Sequence, residues 1–338
     1  MQKIIEEIKA LSKIGSLSKH EQLIEGLINS INHRFVNHGE ILPSVNQMSQ
    51  GLGFSRETVV KGYKYLMDRG IIESKNRRGY YVANGDTFQQ LKVAILLFAF
   101  DTFQETFYQS FRKNLGANIQ LDVYFHHNNL EVFEHTIGRI KGRYGMYVIA
   151  PIPSPAAAEV LEQLPLNKLL IVDRFIQLKG EYSYIVQEFE ESAYKAFTAL
   201  ADKIKKYNNF VFYFKSSSAE PDEILRAFKR FIKDFDVKGV ILDSYESGSV
   251  EKGNVYFTIN NLELWEILKD TKNKKFRLGK DVGILSHNDD HVKEIIFDGI
   301  TTFSIDFVEM GKKAANYVLH REPTQEILKN ALMHRNSL

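Results

Sequence analysis

The sequence of 338 residues contains no cysteine. That absence excludes disulfide bridges, metal sites built from thiolates and a cysteine nucleophile, although it does not indicate a cellular compartment. The sequence also lacks a strong net charge, since the formal charge is only +2. Any surface that binds nucleic acid must therefore be a local patch and not a property of the whole chain.

Long apolar runs are missing as well. No stretch is long enough to cross a membrane, and residues 1–7 carry charges where a signal peptide needs an apolar core. A hydrophobic content of 44% and a charged content of 25% are ordinary for a globular protein. We expect a cytoplasmic protein without a membrane partner, and its length predicts two or more compact units.

The most informative stretch, residues 42–63, has the pattern of two short helices joined by a tight turn. Ser44 and Gln47 have the spacing of a capping box, which predicts that the first helix begins there. Gly53 permits the turn, and Ser55 is suited to be the N-cap of the second helix. The second helix is expected to bury Val59, Tyr63 and Leu66 and to expose Arg56, Glu57, Val60, Lys61 and Lys64.

A helix pair with a glycine turn and exposed basic residues suits the major groove of DNA, although such pairs are also common elsewhere. The residues that follow favour the DNA-binding interpretation. Residues 67–74 and 75–82 have the composition of two short strands around a basic tip that contains glycine. Two strands with such a tip are the pattern of a wing.

Residues 23–82 resemble the winged helix of the gluconate-repressor (GntR) family. The resemblance is carried by Leu42-Pro43-Ser44, Ser55-Arg56-x-Thr58-Val59, Leu66-x-x-x-Gly70-Ile71-Ile72 and Arg78-Gly79-Tyr80-Tyr81-Val82. It implies binding to a double-stranded DNA operator, with contacts to phosphates or bases from Ser44, Arg56, Thr58 and Lys61 and with Arg77 and Arg78 reaching the flanking groove.

Arg56 is the candidate for reading a base, because a guanidinium can pair bidentately with guanine. The alternatives are a phosphate clamp or a surface ion pair, and for Arg77 and Arg78 the alternative is a solvated turn. Asn46 and Val60 stand where the family often has arginine, so the operator sequence is left open.

From Leu91 onward, short apolar runs alternate with helical patterns, which predicts parallel sheets covered on both faces. This half exceeds the size of a typical domain, so we expect two lobes. Residues 84–86 interrupt the pattern. The predicted division is a winged helix-turn-helix domain with an N-terminal helix at 1–86, a linker at 87–90 and a two-lobed effector-binding domain at 91–338. The apolar spacing in residues 2–13 predicts that N-terminal helix, whose packing partner the sequence does not reveal.

Three segments, residues 255–261, 278–289 and 300–303 with 309–315, resemble in that order the effector domain of the lactose-repressor (LacI) family, which is similar to periplasmic sugar-binding proteins. The implied fold is α/β, an N-terminal winged helix-turn-helix plus a two-lobed periplasmic-binding-protein-like α/β domain. The implied ligand is a small polar effector, a monosaccharide or derivative, held between the lobes.

Carried over position by position, the resemblance places seven residues in the ligand site: Asp101, Phe107, Tyr108, Asp173, Arg174, Asn260 and Asn288. The sequence departs from the family at three further positions, because Ile224, Asn261 and Ile305 replace an arginine, an aspartate and a glutamine of the family, and the first two of these remove an ionised group. Asn288 also stands where the family usually has aspartate. Such a site can still hydrogen-bond a neutral polyol. The structural alternatives are a local Asp173–Arg174 ion pair, a turn role for Asn260, and core positions for Phe107 and Tyr108.

The run from His287 to His291 has the residue types of a metal cluster, but a solvated loop is the favoured interpretation. No nucleophile, base and orienting group come together in the sequence, so we predict no enzyme, metal or cofactor. The sequence as a whole predicts a ligand-responsive transcription regulator that acts as a homodimer. The alternatives are a sugar-binding or transport-type protein without DNA activity, and a regulator whose second domain derives from a cofactor-bearing enzyme.

Overall fold

The computed structural model describes residues 1–13, 17–68, 70–75, 78–83, 91–116, 119–215 and 220–338. Those residues form a small N-terminal unit followed by two α/β lobes. The predicted linker at 87–90 lies outside the described residues.

The N-terminal unit consists of four helices and a two-stranded antiparallel sheet built around one apolar core. Its elements are α1 (Gln2–Ala10), α2 (Lys19–Asn32), α3 (Val45–Leu52), α4 (Arg56–Asp68), β1 (Ile72–Lys75) and β2 (Gly79–Val82).

The N-terminal helix packs on α2, which answers the question that the sequence left open. Ile4 and Ile8 are buried, and Gly26 of α2 lies directly under Ile8. A Cβ atom at Gly26 would lie 2.4 Å from Ile8 Cγ1, so only glycine lets the two helices approach this closely. The helix itself ends at Ala10 and continues as a short 3₁₀ turn to Lys13.

The first lobe is a six-stranded, wholly parallel sheet with helices on both faces. The chain builds it as β3 (Leu91–Leu97), α5 (Thr102–Leu115), β4 (Ile119–Phe125), α6 (Leu130–Ile140), β5 (Met146–Ile149), α7 (Pro155–Leu161), β6 (Leu169–Asp173) and β7 (Ser183–Gln187).

The second lobe repeats that architecture. It contains α8 (Glu190–Ala199), α9 (Ala201–Ile204), β8 (Asn209–Tyr213), α10 (Asp222–Asp234), β9 (Gly239–Leu242), β10 (Asn254–Thr258), α11 (Asn261–Asn273), β11 (Gly283–His287), α12 (His291–Ile295) and β12 (Thr301–Ser304). Apolar clusters cover both faces of its sheet.

The chain then returns to the first lobe as α13 (Phe307–His320) and β13 (Gln325–Leu328) and ends in the second lobe with β14 (Ala331–Met333). The strand order is β13-β7-β6-β5-β3-β4 in the first lobe and β14-β12-β11-β10-β8-β9 in the second, where only β14 is antiparallel. The chain therefore crosses between the lobes three times, after β7, β12 and β13. The prediction of two lobes with covered parallel sheets is confirmed.

Candidate DNA-binding surface and effector cleft

The helix pair has the geometry that its capping residues predict. The Ser44 backbone N–H donates to Gln47 Oε1 at 2.8 Å, and the Gln47 backbone N–H donates to Ser44 Oγ at 3.3 Å. Gly53 ends α3 with a φ of 69°, a left-handed conformation that favours glycine. The turn therefore depends on these three residues.

The second helix is fixed to the unit by its buried face. Val59, Tyr63 and Leu66 are fully buried, and the Tyr63 hydroxyl donates to the Pro43 carbonyl at 2.5 Å. Ser55 Oγ accepts a hydrogen bond from the Thr58 backbone N–H at 3.1 Å, as expected of an N-cap. These contacts hold α4 with its other face turned to solvent.

That outward face carries the residues predicted to contact DNA. Arg56, Glu57, Val60, Lys61 and Lys64 are all exposed, as the periodicity indicates. Lys61 Nζ lies 2.7 Å from a Glu57 carboxylate oxygen, one turn away. Thr58 is half-buried, and its hydroxyl forms a 2.8 Å hydrogen bond with Ser55 Oγ. Ser44 is exposed at the start of α3.

The wing is the hairpin of β1 and β2, in which Lys75 pairs with Gly79. Arg78 is exposed, and its backbone carbonyl accepts a 3.1 Å hydrogen bond from the Tyr81 hydroxyl. Arg77 lies outside the described residues. The described part of the wing therefore offers one exposed arginine beside α4.

A cleft of about 720 Å³ lies between the two α/β lobes, at the carboxyl ends of their parallel strands. Asp101, Asp173, Arg174, Asn260 and Asn288 line it, so five of the seven predicted ligand residues come together. The cleft is where open parallel sheets place their ligands, because strand ends and the loops after them point to the same edge.

Asp101 and Asn260 reach the cleft as N-caps of its flanking helices. Asp101 Oδ1 accepts from the Gln104 backbone N–H at 3.0 Å at the start of α5. Asn260 Oδ1 accepts from the Leu262 backbone N–H at 2.8 Å at the start of α11. One oxygen of each side chain therefore accepts a hydrogen bond from the helix that it caps.

Asp173 ends β6 and Arg174 follows it, so the two place a carboxyl group and a guanidinium side by side on the cleft. Gln187 Nε2 donates to Asp173 Oδ1, and the Arg174 guanidinium lies 5.3 Å from the centre of the Phe189 ring. Burial raises the pKa of Asp173 and lowers the pKa of Arg174. Burial, together with the neighbouring charge of Asp173, raises the pKa of Asp101 to about 6.

The structure does not place Phe107 and Tyr108 on the cleft. Phe107 is buried in the first-lobe core, where its ring stacks 5.9 Å from that of Phe111. Tyr108 is half-buried and packs edge to face against Phe100, with 6.3 Å between ring centres. The aromatic side chains that do line the cleft are Phe98, Phe100, Phe103, Phe189 and Trp265. The prediction that Phe107 and Tyr108 line the cleft is wrong, because the face of α5 that carries Phe107 packs against the sheet.

The loop that begins at His287 is not the solvated loop that the sequence favours. His287 is only 2% exposed at the end of β11, and Asn288 is 8% exposed with a φ of 60°. The buried Lys293 ammonium donates to the carbonyl oxygens of both residues, at 3.0 Å and 2.8 Å. Only His291, further along, lies in solvent. The pair of residues at the strand end is thus part of the cleft wall.

Several buried polar atoms in this wall have no hydrogen-bond partner within the described part of the chain. They are Gln187 Oε1, both ring nitrogens of His287, and Asn288 Oδ1. Burial lowers the pKa of His287 to about 3, so its ring is neutral. His126 differs, because its Nε2 lies 3.0 Å from the Ala150 carbonyl and its Nδ1 accepts from the Asn128 backbone N–H. Sequence reasoning missed Gln187 as a cleft residue and placed His287 on a solvated loop of the pocket, although both residues end a strand.

Within the described residues, no group of three or more histidine, aspartate or glutamate side chains could hold a metal ion. No helix in that same part of the chain is long and apolar enough to span a membrane.

The N-terminal unit contains a segment that matches a known protein family. Residues 19–82 match the family described as bacterial regulatory proteins, gntR family. This segment is a GntR-type winged helix. The limits of the match coincide with the start of α2 and with the end of β2 of the wing, so α1 lies before the matched segment.

The two lobes have the fold of LacI-family regulators. A LacI family transcriptional regulator from Silicibacter pomeroyi superposes with a TM-score of 0.61 at 14% identity, over 73% of this chain and 98% of that one. A LacI family regulator from Enterococcus faecium with bound ribose gives 0.57 at 14%, over 73% and 98%. The lac repressor dimer bound to operator and the anti-inducer ONPF gives 0.60 at 13%, over 74% and 94%. No curated protein matches the chain.

Proposed function

We propose that this protein is a transcription regulator whose affinity for a DNA operator is controlled by a small polar ligand, a sugar or sugar derivative, bound in the cleft. The observation that carries the proposal is the joining of two devices in one chain. A GntR-type winged helix with an exposed basic helix precedes a two-lobed cleft with buried polar walls. Neither device alone would support regulation.

The DNA half rests on what α4 and the wing expose. Arg56, Lys61 and Lys64 lie on the outward face of α4, and Arg78 extends from the wing. In a winged helix this face enters the major groove, where an arginine can pair with guanine O6 and N7. The lysines would neutralise phosphates, which makes binding depend on salt.

The effector half rests on the cleft. Its volume of about 720 Å³ lies within the range of small-molecule sites, and its lining combines aromatic rings with convergent polar groups. That lining suits a sugar, which offers an apolar ring face and many hydroxyls. The ribose bound to the regulator of the same fold from Enterococcus faecium supports this class of ligand.

We further propose that the protein is cytoplasmic and binds a two-fold operator as a homodimer. Two winged helices would then be placed by the lobes of two subunits, and a ligand that closes the cleft would favour one arrangement over the other. The lac repressor, which has this fold, is described as a dimer bound to operator. Light scattering on the full chain tests this part, and a monomer at all concentrations would contradict it.

Selection from a random duplex library, followed by fluorescence anisotropy on the selected sequence, tests the DNA half. We expect specific binding that weakens steeply as salt is raised. Absence of salt-dependent binding to any duplex would refute it. If sugars bound under those conditions, the result would favour the sugar-binding or transport alternative.

The sharpest variant is Arg56→Ala. We expect it to weaken binding to the selected operator by roughly 1–3 kcal/mol and to relax the preference at one base pair, because a bidentate base contact is lost. Arg139→Ala, which removes an exposed arginine from α6 in the first lobe, is the matched control and should leave binding unchanged. An equal loss on all duplexes would instead indicate that Arg56 contacts phosphate.

A further inference from the structure

Three buried polar side chains on the cleft wall specify the hydrogen bonds that an effector has to make. Gln187, His287 and Asn288 are 6%, 2% and 8% exposed. Among the residues that the structure describes, four of their nitrogen and oxygen atoms have no partner. Leaving such atoms unpaired costs free energy, so a ligand that pairs them is favoured over one that does not.

The hydrogen-bonding capacity of these atoms is unequal. Gln187 Oε1 and Asn288 Oδ1 can only accept, and the neutral ring of His287 offers one acceptor and one donor. This wall therefore has three places for a donor of the ligand and one for an acceptor. Hydroxyl groups supply donors, whereas an ionised phosphate or carboxylate group has only acceptor oxygens.

The charges around the cleft add a second argument. Among the residues that the structure describes, the lining carries four carboxyl groups, those of Asp101, Glu105, Asp173 and Glu220, and one guanidinium, that of Arg174. The Lys293 ammonium lies behind the wall and is turned to the backbone carbonyls of His287 and Asn288, not to the cleft. An anionic group on the ligand would thus meet carboxylates that outnumber the cations.

The positions of the three side chains also join the lobes. Gln187 ends β7 in the first lobe, whereas His287 ends β11 and Asn288 follows it in the second. A ligand that donates to both sides would bridge the lobes and hold the cleft closed.

We propose that the effector is an uncharged polyhydroxy compound that donates hydroxyl hydrogen bonds to Gln187, His287 and Asn288, and that phosphorylated and carboxylated sugars are excluded. This inference rests on the proposed sugar-sensing function and narrows it. Asn288 is central to it, since its buried amide oxygen has no donor among the described residues.

Thermal shift of the full chain against matched pairs of sugars tests the proposal: D-ribose with ribose 5-phosphate, D-xylulose with xylulose 5-phosphate, D-glucose with glucose 6-phosphate, and D-galactose with galacturonate. We expect a rise in Tm only with uncharged members. A phosphate or galacturonate that raises Tm as much as its neutral partner overturns the inference while the sugar-sensing function survives. If no member raises Tm, the sugar-sensing proposal itself fails and the inference falls with it.

Titration calorimetry with the uncharged sugar that gives the largest shift then tests the assigned contacts. Asn288→Asp keeps an acceptor, so Kd should stay within about threefold, whereas Asn288→Leu and Gln187→Leu should each raise Kd by roughly tenfold or more. His291→Leu, a solvent-exposed position on the same loop, is the control and should leave Kd unchanged. A large loss in Asn288→Asp would show that the ligand accepts at this position, which contradicts the proposal. Because Gln187 and Asn288 lie in different lobes, one misfolded variant does not remove the test.

Discussion

At the scale of single residues, Asp101 combines two roles that oppose each other. Its carboxylate caps α5, yet it is partly buried and near enough to Asp173 for the two charges to repel. The pKa of Asp101 is therefore raised to about 6. A raised pKa means that this group stabilises the fold fully only below its unfolded pKa, and that the contribution is lost as pH rises through 6.

Asp101→Asn should therefore stabilise the protein at pH 7.5 by about 1–3 kcal/mol, because asparagine caps a helix equally well and carries no buried charge. The gain in the free energy of unfolding should shrink between pH 6 and pH 4 and vanish below about pH 4, because Asp101 is then protonated. Urea unfolding followed by circular dichroism at both ends of this range measures it. Asp306→Asn, at an exposed N-cap of α13, is the control, and an equal gain there would contradict the explanation.

At the scale of elements, the close packing of α1 on α2 depends on a position without a side chain. Gly26 faces Ile8 so closely that a Cβ would also lie 2.8 Å from Ile8 Cα, a backbone atom that cannot rotate away. Gly138, in α6, has nothing within 4 Å of its would-be Cβ. We therefore expect a substitution by alanine to have opposite effects on stability at these two helical glycines.

Gly26→Ala should destabilise the N-terminal unit by about 1–3 kcal/mol through overpacking. Gly138→Ala should be stabilising by about 0.5–1 kcal/mol, because alanine is the better helix former. The single tryptophan, Trp265, reports on the second lobe. Unfolding of Gly26→Ala should shift early by far-ultraviolet circular dichroism while the Trp265 fluorescence transition stays in place. Coincident shifts would mean that the effect is not local to the winged unit.

At the scale of the whole molecule, two ion pairs between described residues join the winged unit to the first lobe. Glu25 of α2 accepts from Arg321 Nη1 at 2.7 Å and 2.8 Å, and Arg321, at the end of α13, is only 13% exposed. Glu21, also on α2, pairs with Lys168 just before β6. Helix α2, which begins the GntR-type segment, is thus joined to the first lobe, which forms one side of the cleft.

Breaking one of these pairs should loosen the winged unit. Arg321→Met should cost about 1–3 kcal/mol, since it leaves the half-buried Glu25 carboxylate unpaired. In a double-mutant cycle with Glu25→Gln, the two changes should show a coupling of about 1 kcal/mol or more. The exposed Glu266–Lys269 pair of α11 is the matched control, with a coupling below about 0.5 kcal/mol. Strict additivity at Glu25 and Arg321 would contradict a stabilising link.

Much of this molecule could be predicted from local patterns. The capping box of Ser44 and Gln47, the glycine at position 53 and the period of α4 predicted the helix pair and its exposed face, because each depends only on residues a few positions apart. The alternation of apolar runs and helical patterns gave two covered parallel sheets for the same reason. The proposed domain limits and the DNA and ligand roles of individual residues stay predictions.

Contacts between distant parts of the chain decided the rest. β13 was not predicted, because its exposed and half-buried residues at a sheet edge lack the apolar run of a central strand. Phe107 lies in the core because the face of α5 that carries it packs against the sheet, whereas Phe100, which precedes α5, lines the cleft. His287 and Gln187 became cleft residues only when two lobes brought separate strand ends together. Local patterns therefore determined most of the elements and indicated the class of protein. Tertiary packing determined which polar atoms are buried in the cleft without partners among the described residues, because burial depends on neighbours that the sequence does not place.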